Sequence, residues 1–355
     1  MNKKVLVAMS GGVDSAVATL LLKEQAYDIG GITMTVWSDE KDLADGEVTV
    51  PDQNCIDARA IADELNIPHY TVSLGESFKT CVIKRFIDDY TSGKTPNPCV
   101  ECNKHIKFGK LFDCVDTLGY NDIATGHYAR IVKDENGKFL LKKAADEKKD
   151  QSYFLWSIKK ELLPRIHFPL GELTKPEVRD IAAKNGFSNA HRSDSQDICF
   201  ISNGDYAEFI RKHSDVAFPC GNFTDTDGNV IGKHTGLINY TIGQRKGLGV
   251  AFGKPMFVGG KDASANTVML CTDEQLYTDT LIATDVNILT DEKFEAPVRL
   301  MAKIRYRHEP AIATVTRLGD GCLLVKFDLP QRAIAPGQSV VLYDGDTVVG
   351  GGIIS

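Results

Sequence analysis

The string Ser-Gly-Gly-Val-Asp-Ser at residues 10–15 limits the possible folds of this chain more than any other feature. It follows a short apolar run at residues 3–9 and precedes residues 16–27, which have helical periodicity. Glycines between a strand and a helix let the backbone approach phosphate oxygens, and the amides at the helix N-terminus point toward the anion. The segment therefore predicts a strand, a phosphate-binding turn and a helix at this junction.

Strands and helices alternate over about the first 190 residues, which is typical of a parallel sheet covered on both faces. We expect a Rossmann-like, doubly wound α/β domain, similar to that of the adenine nucleotide hydrolases, over residues 1–204. The later strands are expected at residues 32–37, 69–74 and 122–126, and the helices at residues 55–65, 78–90 and 106–118.

The pattern changes after a short helix predicted at residues 205–212. Glycine and Asp-Gly turns then separate short strands, so residues 205–282 are expected to form a small mixed middle domain. Residues 283–355 contain evenly spaced strands, with Asp-Gly at residues 320–321 and 344–345. This spacing favours a C-terminal β-barrel. A chain of 355 residues is long enough for such a division.

The composition is that of a soluble globular protein, with 43% hydrophobic and 25% charged residues. No apolar run reaches the roughly 18 residues that span a bilayer, so we expect no membrane association. The nine cysteines are scattered and odd in number, which favours the reducing cytoplasm over a secreted disulfide framework. A net charge of −7 excludes a uniformly basic surface but allows RNA binding through a local basic patch.

The residue types in the glycine turn suit a nucleotide. Ser10 and Ser15 supply hydroxyl donors, whereas Asp14 repels phosphate unless Mg²⁺ lies between them. The string lacks both the G-x-x-x-x-G-K-[ST] pattern of kinases and the G-x-G-x-x-G pattern. It resembles instead the PP-loop of the ATP-pyrophosphatase superfamily. That resemblance implies cleavage of ATP between the α and β phosphates, with AMP left on the substrate.

Two cysteines lie in contexts that favour reactivity. Cys102 follows a proline-stiffened loop and precedes a helix expected to begin near Ile106, and three basic side chains lie within the next five residues. Positive charge and helix-end amides lower the pKa of a thiol. Cys199 lies at the end of the α/β domain. Cys99 and Cys102 would supply half of a zinc site, but the sequence has no second paired motif. The cysteines in apolar contexts are interpreted as structural: Cys55, Cys81, Cys114, Cys271 and Cys322.

Five further motifs accompany the phosphate loop: NPCVECNKHIKFG at residues 97–109, ATGHYAR at 124–130, KDQSYFLW at 149–156, SQDICFI at 195–201 and TIGQRKGLG at 241–249. Together they resemble the tRNA-specific 2-thiouridylase (MnmA) family over essentially the whole chain. In that family ATP adenylates the C2 oxygen of the wobble uridine in tRNAs for lysine, glutamate and glutamine, and a cysteine persulfide delivers the sulfur. The resemblance implies ATP and Mg²⁺ as cofactors, and tRNA and a sulfur-donor protein (a relay protein or a cysteine desulfurase) as partners.

The resemblance also assigns roles to individual residues. Cys199 would carry the persulfide, and Cys102 would release the sulfur by forming a transient disulfide bond with Cys199. The middle domain and the barrel would bind the body of the tRNA. The residues assigned to ATP are Ala8, Met9, Ser10, Gly11, Gly12, Val13, Asp14, Ser15, Met34 and Gly126; those assigned to the target base are Asn97, Pro98 and Cys99; those assigned to tRNA are His127, Lys149, Asp150, Gln151, Arg305, Tyr306 and Gln338.

Position 99 opens a second route for the sulfur, because many relatives carry aspartate where this chain has cysteine. Cys99, Cys102 and Cys199 could together hold an iron–sulfur cluster with one open iron that binds free sulfide. This hypothesis keeps the adenylation step and replaces the persulfide.

Two other functions compete with tRNA thiolation. A PP-loop ligase or amidase acting on a small substrate would need neither reactive cysteine. An ATP-sensing RNA-binding protein would bind both ligands and release neither AMP nor pyrophosphate. RNA binding is supported by alternating basic residues that we expect on one face of a single strand. These residues are Arg299, Lys303, Arg305 and Arg307.

Overall fold

The computed structural model describes residues 3–37, 44–46, 52–187, 189, 198–201, 204–249, 253–319 and 321–355. The chain divides into two compact units. The first comprises Met1–Val82, Cys99–Gln196 and Gly345–Val348, and the second comprises Ile83–Pro98, Asp197–Asp344 and Val349–Ser355. Among the described residues, the structure contains no helix long and apolar enough to cross a membrane.

A five-stranded parallel sheet forms the centre of the first unit, in the order β3-β2-β1-β4-β7, with β4 at Asp122–Thr125 and β7 at Ile166–His167. The central strand carries three successive buried residues, Val5, Leu6 and Val7, because both faces of a parallel sheet are covered. Its elements are β1 (Lys4–Ala8), α1 (Val13–Glu24), β2 (Asp28–Thr35), α2 (Gln53–Glu64) and β3 (His69–Ser73).

Two longer helical runs follow β3, and each contains a widened, π-type stretch. The first consists of α3 (Gly75–Phe78), the π-type turn Lys79–Ile83 and α4 (Lys84–Thr91), and α4 belongs to the second unit. The second consists of α5 (Pro98–Glu101), the π-type run Cys102–Lys110 and α6 (Leu111–Thr117).

The second helical run corrects the prediction that a helix begins near Ile106. It begins at Pro98 instead. Proline suits the first helical position, since the backbone N–H that it lacks would have no partner there. Cys102 therefore lies inside the helical run, one turn from its start, and does not precede it.

The remaining elements of the first unit are β4 (Asp122–Thr125), the hairpin of β5 (Arg130–Lys133) and β6 (Phe139–Lys142), β7 (Ile166–His167) and α7 (Lys175–Lys184). A capping box begins α7, in which the Glu177 side chain accepts hydrogen bonds from the backbone N–H and the hydroxyl of Thr174, each at 2.7 Å.

The second unit contains a four-stranded sheet in the order β10-β11-β8-β9. Its strands pack around an apolar cluster that includes Phe223, Val258 and Leu270. The elements are α8 (Tyr206–His213), β8 (Gly221–Thr224), β9 (Val230–His234), β10 (Phe257–Asp262) and β11 (Thr267–Cys271).

Six further strands close into a barrel, because β12 pairs with both β15 and β17. Alternate residues such as Ala313 and Val315 fill its interior. Gly345 has a φ of +57°, as the predicted Asp-Gly hairpin turn requires. The strands are β12 (Tyr277–Ile288), β13 (Val298–Lys303), β14 (Ala311–Arg317), β15 (Leu323–Arg332), β16 (Ser339–Asp344) and β17 (Thr347–Ile354).

The predicted fold class is confirmed: a parallel α/β sheet, a small middle domain and a C-terminal β-barrel. The predicted basic stripe is wrong. Strand β13 ends at Lys303, so Arg305 and Arg307 lie beyond it in a turn. The guanidinium of Arg305 donates hydrogen bonds to the carbonyl oxygens of Ile242 and Ala333, at 3.1 and 2.8 Å. The guanidinium of Arg305 therefore stabilises two backbone segments of the second unit.

Candidate nucleotide site and cysteine helix

The phosphate loop lies at the carboxyl end of β1, the middle strand of the parallel sheet. The chain continues from β1 to β2 and β3 on one side and returns to β4 on the other. Ligands of open α/β sheets bind outside the carboxyl ends of the strands where the strand order reverses. Helix α1 begins at Val13, immediately after the loop, and has no side-chain cap at its N-terminus. Its first amide groups are therefore open to an anion.

Serine hydroxyl groups fix the shape of this loop. The backbone N–H of Ser10 donates a hydrogen bond to Ser15 Oγ at 3.2 Å, and Ser15 Oγ donates to the carbonyl oxygen of Gly12 at 3.0 Å. Ser15 is buried, whereas Ser10 is exposed. Ser15 thus serves the loop itself, and Ser10 is the serine accessible to a ligand.

Two glycines allow backbone segments to meet closely around the loop. Gly11 has a φ of +70°, and a Cβ atom there would lie 2.7 Å from the carbonyl oxygen of Asn54 in α2. A Cβ atom on Gly126, just after β4, would lie 3.0 Å from the backbone nitrogen of Ser15. The predicted ATP-binding residues at 8–15 and 126 are therefore brought together. Met34 lies half-buried in β2, and its neighbour Thr33 donates a hydrogen bond to the Met9 carbonyl at 2.9 Å.

The acidic side chain of the loop has two partners that sequence reasoning missed. The Lys175 ammonium lies 2.8 and 2.9 Å from the two carboxylate oxygens of Asp14, and the Tyr128 hydroxyl donates to Asp14 at 2.8 Å. The Lys175 side chain is only 8% exposed, whereas the Asp14 side chain is 32% exposed, so the pair lies at the edge of the loop with its cationic member buried. Lys175 neutralises the one acidic residue of the loop, which favours an anionic ligand beside it.

Asn189 is a third residue that the sequence did not single out. Its side-chain nitrogen donates a hydrogen bond to the Gly11 carbonyl at 2.9 Å, and the residue is buried. Within the described part of the chain, its side-chain oxygen has no hydrogen-bond partner. A buried polar atom next to the phosphate loop is a candidate contact for a bound nucleotide.

The second helical run, residues 98–117, which we call the cysteine helix, carries Cys99 exposed and Cys102 half-buried. The buried Asn103 anchors this helix by donating from its side-chain nitrogen to the Phe154 carbonyl at 2.9 Å. At Phe108 the backbone leaves helical geometry, with φ −105° and ψ 16°. Widened π-type stretches are frequent at functional sites because they re-aim side chains within a helix. The helix therefore presents its two cysteines on a fixed but irregular support.

A buried histidine follows Gly126. The Lys107 ammonium lies 3.4 Å from His127 Nε2, and Thr125 Oγ1 lies 2.6 Å from His127 Nδ1. Since lysine can only donate, Nε2 accepts and Nδ1 carries the hydrogen. Burial, with the Lys107 charge adding to it, holds the pKa of His127 well below its ordinary value. His127 is neutral at physiological pH and orients Lys107.

The predicted tRNA loop at residues 149–151 makes internal contacts. The buried Asp150 carboxylate accepts hydrogen bonds from the backbone N–H groups of Ala144 and Ser152, at 3.0 and 3.1 Å. The Gln151 side chain accepts from the backbone N–H of Tyr128 at 2.9 Å. Gln151 therefore positions the backbone of Tyr128, Asp150 shapes its own loop between Ala144 and Ser152, and Lys149 remains half-buried beside them.

The second unit contains Cys199, Arg305, Tyr306 and Gln338, as well as Asn97 and Pro98. Cys199 is exposed in a turn. The Gln338 side-chain nitrogen donates to the carbonyl oxygens of Thr95 and Pro96, at 2.9 and 3.3 Å. Cys102 belongs to the first unit. Across the residues that the structure describes, no group of three or more His, Cys, Asp or Glu side chains is arranged to hold a metal ion.

Comparison with known proteins gives matches along the whole chain. A family model described as the tRNA methyl transferase HUP domain matches residues 3–203. Models described as the tRNA methyl transferase PRC-barrel domain and the aminomethyltransferase β-barrel domain match residues 207–272 and 278–354.

Individual relatives align over nearly their full length. A protein of Clostridioides difficile named tRNA-specific 2-thiouridylase MnmA is 49% identical, with 100% of this chain and 98% of that protein covered. A protein of the same name from Acetivibrio thermocellus is 47% identical, with 99% of each chain covered. A third, from Clostridium acetobutylicum, is 45% identical over 100% of both chains.

Proposed function

We propose, from the premise that this chain belongs to the tRNA-specific 2-thiouridylase (MnmA) family, that it replaces an oxygen atom of a tRNA uridine with sulfur. The observation that carries the proposal is the geometry of the phosphate loop. Its glycines, serines and helix amides would form an anion site in the same unit as Cys102. The family name indicates a tRNA uridine as the substrate, and the phosphate loop would bind the ATP that activates it.

The first step is activation of the base by ATP. A uracil carbonyl oxygen is a poor leaving group, and transfer of AMP to the C2 oxygen, with release of pyrophosphate, converts it into a good one. Residues 8–15 and Gly126 would hold the nucleotide, and Lys175 would offset the charge of Asp14. The Asp14 carboxylate is an oxygen ligand of the kind that Mg²⁺ prefers, and Mg²⁺ bound there would neutralise phosphate charge.

The second step is sulfur transfer through the two cysteines. The terminal sulfur of a persulfide on Cys199 attacks C2 of the activated base, and AMP leaves. The Cys102 thiolate then attacks the Cys199 sulfur, which breaks the bond to the transferred sulfur and leaves it on C2. The product is 2-thiouridine together with a Cys102–Cys199 disulfide bond, which a cellular dithiol reductant must reduce before the next turnover.

The tRNA must present its base outside the stack for this chemistry. We propose that Asn97, Pro98 and Cys99 face the flipped base and that the substrates are wobble uridines of tRNAs for lysine, glutamate and glutamine. Lys149, Tyr306 and the middle domain would contact the body of the tRNA. The persulfide would come from a relay protein or directly from a cysteine desulfurase, as the reducing cytoplasm allows.

The experiment incubates the full chain with ATP, Mg²⁺, a persulfide donor and unmodified tRNA, and measures 2-thiouridine by mass spectrometry of nucleosides. We expect thiolated uridine and AMP in equal amounts, and no product from Cys199→Ala. Cys102→Ala should form no product beyond the first covalent adduct. Full activity of Cys199→Ala would refute the persulfide role, and AMP release without tRNA would favour the small-substrate ligase.

A second sulfur route rests on Cys99, which is exposed three residues before Cys102, although the described residues contain no group of three ligands already arranged to hold a metal ion. Under this alternative, Cys99, Cys102 and Cys199 would hold an iron–sulfur cluster that binds sulfide. Purification without oxygen distinguishes the routes. A brown protein with stoichiometric iron, whose activity is lost in Cys99→Asp, would support the cluster. A colourless and fully active protein would eliminate it.

A further inference from the structure

The short segment that precedes the predicted target-base residues has an unusual set of contacts inside the second unit. Residues 92–96 connect α4 to Asn97 and Pro98. The backbone N–H of Thr95 donates a hydrogen bond to the Pro336 carbonyl at 2.8 Å. The Gln338 side chain donates to the carbonyl oxygens of Thr95 and Pro96. This loop is therefore held by backbone-directed contacts on both its N–H and its C=O groups.

Gly337 shows how closely the two backbones approach. Its φ is +89°, and a Cβ atom there would lie 2.9 Å from the backbone nitrogen of Thr95 and 3.0 Å from Lys94 Cβ. Only a residue without a side chain fits at this distance. The contact between residues 336–338 and the Thr95 segment therefore depends on a backbone conformation specific to glycine.

Lys261 supports the same segment from the middle-domain sheet. Its ammonium donates to the Tyr240 carbonyl at 2.9 Å and to the Lys94 carbonyl at 3.5 Å, and lies 5.7 Å from the centre of the Tyr90 ring. Burial lowers the pKa of Lys261 to about 8. In the described residues it forms no ion pair, so an apolar side chain would fill the space at a lower desolvation cost. A half-buried ammonium that donates to two carbonyl oxygens indicates a positional role.

The aromatic part of this arrangement fixes the end of α4. Tyr90 is 6% exposed, and its ring stacks on Tyr206 with centroids 4.8 Å apart. The Tyr206 hydroxyl lies 3.4 Å from Thr241 Oγ1, in the TIGQRKGLG motif. The segment is thus preceded by a stacked aromatic pair and followed by the residues predicted to face the base.

We propose that Lys261 and Gln338 are positioning residues that hold residues 94–96, so that Asn97 and Pro98 meet the target uridine in one fixed geometry. We call this set of contacts the Thr95 clamp, formed by Lys261 and residues 336–338. The role is distinct from a direct contact with tRNA, because the Lys261 ammonium and the Gln338 side-chain nitrogen both donate to carbonyl oxygens of the protein backbone. The inference deepens the proposed function and rests on it, since residues 94–96 lead directly into the residues that we propose face the thiolated base.

The test compares Lys261→Met and Gln338→Ala with the control Lys254→Met, which removes an exposed lysine in the same unit. Three quantities are measured on the full chain: the exchange rate of the Thr95 amide hydrogen, the Kd for unmodified tRNA, and kcat for thiolation. We expect Thr95 exchange to accelerate about tenfold or more as the segment opens locally. Misplacement of the reacting base should lower kcat about 10- to 100-fold, with the Kd unchanged within about twofold.

Each result decides the proposal. Faster Thr95 exchange with lower kcat and unchanged Kd supports it, and normal kcat in either variant overturns it. A Kd that weakens in proportion to the loss of activity also overturns it, because the side chains would then contact tRNA directly. If Lys261→Met does not fold, Gln338→Ala decides alone. A wild-type protein that makes no thiouridine refutes the proposed function, whereas Thr95 exchange in the variants still decides whether the clamp holds the segment.

Discussion

Single side chains around the phosphate loop show how charge is balanced in the first unit. Asp14 is the acidic member of an anion-binding loop, and its carboxylate accepts hydrogen bonds from Lys175 and Tyr128. Tyr128 is positioned in turn by Gln151, which contacts its backbone N–H. A residue predicted to touch tRNA is thereby linked through one tyrosine to a residue predicted to bind ATP.

The Lys175→Met variant tests this charge balance. Removing the ammonium leaves the Asp14 carboxylate partly buried with one fewer donor, so we expect the free energy of unfolding to fall by about 1.5–3 kcal/mol. The affinity for ATP should fall as well, because Asp14 would repel the phosphates. Urea denaturation and calorimetric titration with ATP and Mg²⁺ measure the two effects.

The double variant Asp14→Asn, Lys175→Met provides the control for that change. It removes the orphaned charge together with its partner and should recover much of the lost stability. Equal stability of Lys175→Met and the wild type would show that the pair contributes nothing.

At the scale of elements, the path of the chain between β1 and α1 depends on two glycines with different surroundings. Gly11 has a positive φ and lies against α2, where an added Cβ atom would be 2.7 Å from a carbonyl oxygen. Gly12 has a φ of −86°, and among the residues that the structure describes an added Cβ atom would meet only the Ser10 hydroxyl, at 3.4 Å. The two adjacent positions therefore respond differently to the same substitution.

Gly11→Ala should separate the loop from α2 and destabilise the protein by about 2 kcal/mol or more, since both backbone strain and overlap with a carbonyl oppose it. It should also abolish ATP-dependent AMP release. Gly12→Ala is the matched control and should lower the free energy of unfolding by less than about 1 kcal/mol. Thermal unfolding measures both variants, and an equal loss of stability in the two would contradict the close approach of α2.

For the molecule as a whole, electrostatics limits how tRNA can bind. The net charge is −7, and the basic stripe expected on one strand does not form. Arg299 donates to the Asp328 carboxylate at 2.6 Å, and Arg305 is used by backbone carbonyls. Phosphate contacts must therefore be local and supplied by other basic groups on an otherwise acidic protein.

Binding of tRNA should still depend on salt, because each neutralised phosphate releases counterions. We expect log Kd to rise linearly with log salt concentration, with a slope of about 0.7–0.9 for each phosphate contacted. Titrations of tRNA between 50 and 200 mM KCl measure the slope, and Arg299→Ala should leave it unchanged since that charge is already paired. A Kd independent of salt would contradict recognition of a tRNA backbone.

The sequence alone determined the elements whose signals are local. The apolar run, glycine turn and periodic helix at residues 3–27 predicted β1, the phosphate loop and α1, since each depends on residues close in the chain. Asp-Gly pairs and evenly spaced short strands predicted the barrel for the same reason, since both are signals between neighbouring residues. The predicted start of the cysteine helix near Ile106 was wrong, because proline is typical both of loops and of first helical turns.

Only the tertiary structure decided which distant groups surround the phosphate loop and the Thr95 segment. Lys175 is 161 residues from Asp14, and Gln338 is 243 residues from Thr95. Neither pairing leaves a local pattern, because periodicity and turn chemistry report only on neighbours in the chain. The sequence therefore specified the phosphate loop with its glycines and serines. The packing of the fold supplied the buried lysine that neutralises its acidic residue.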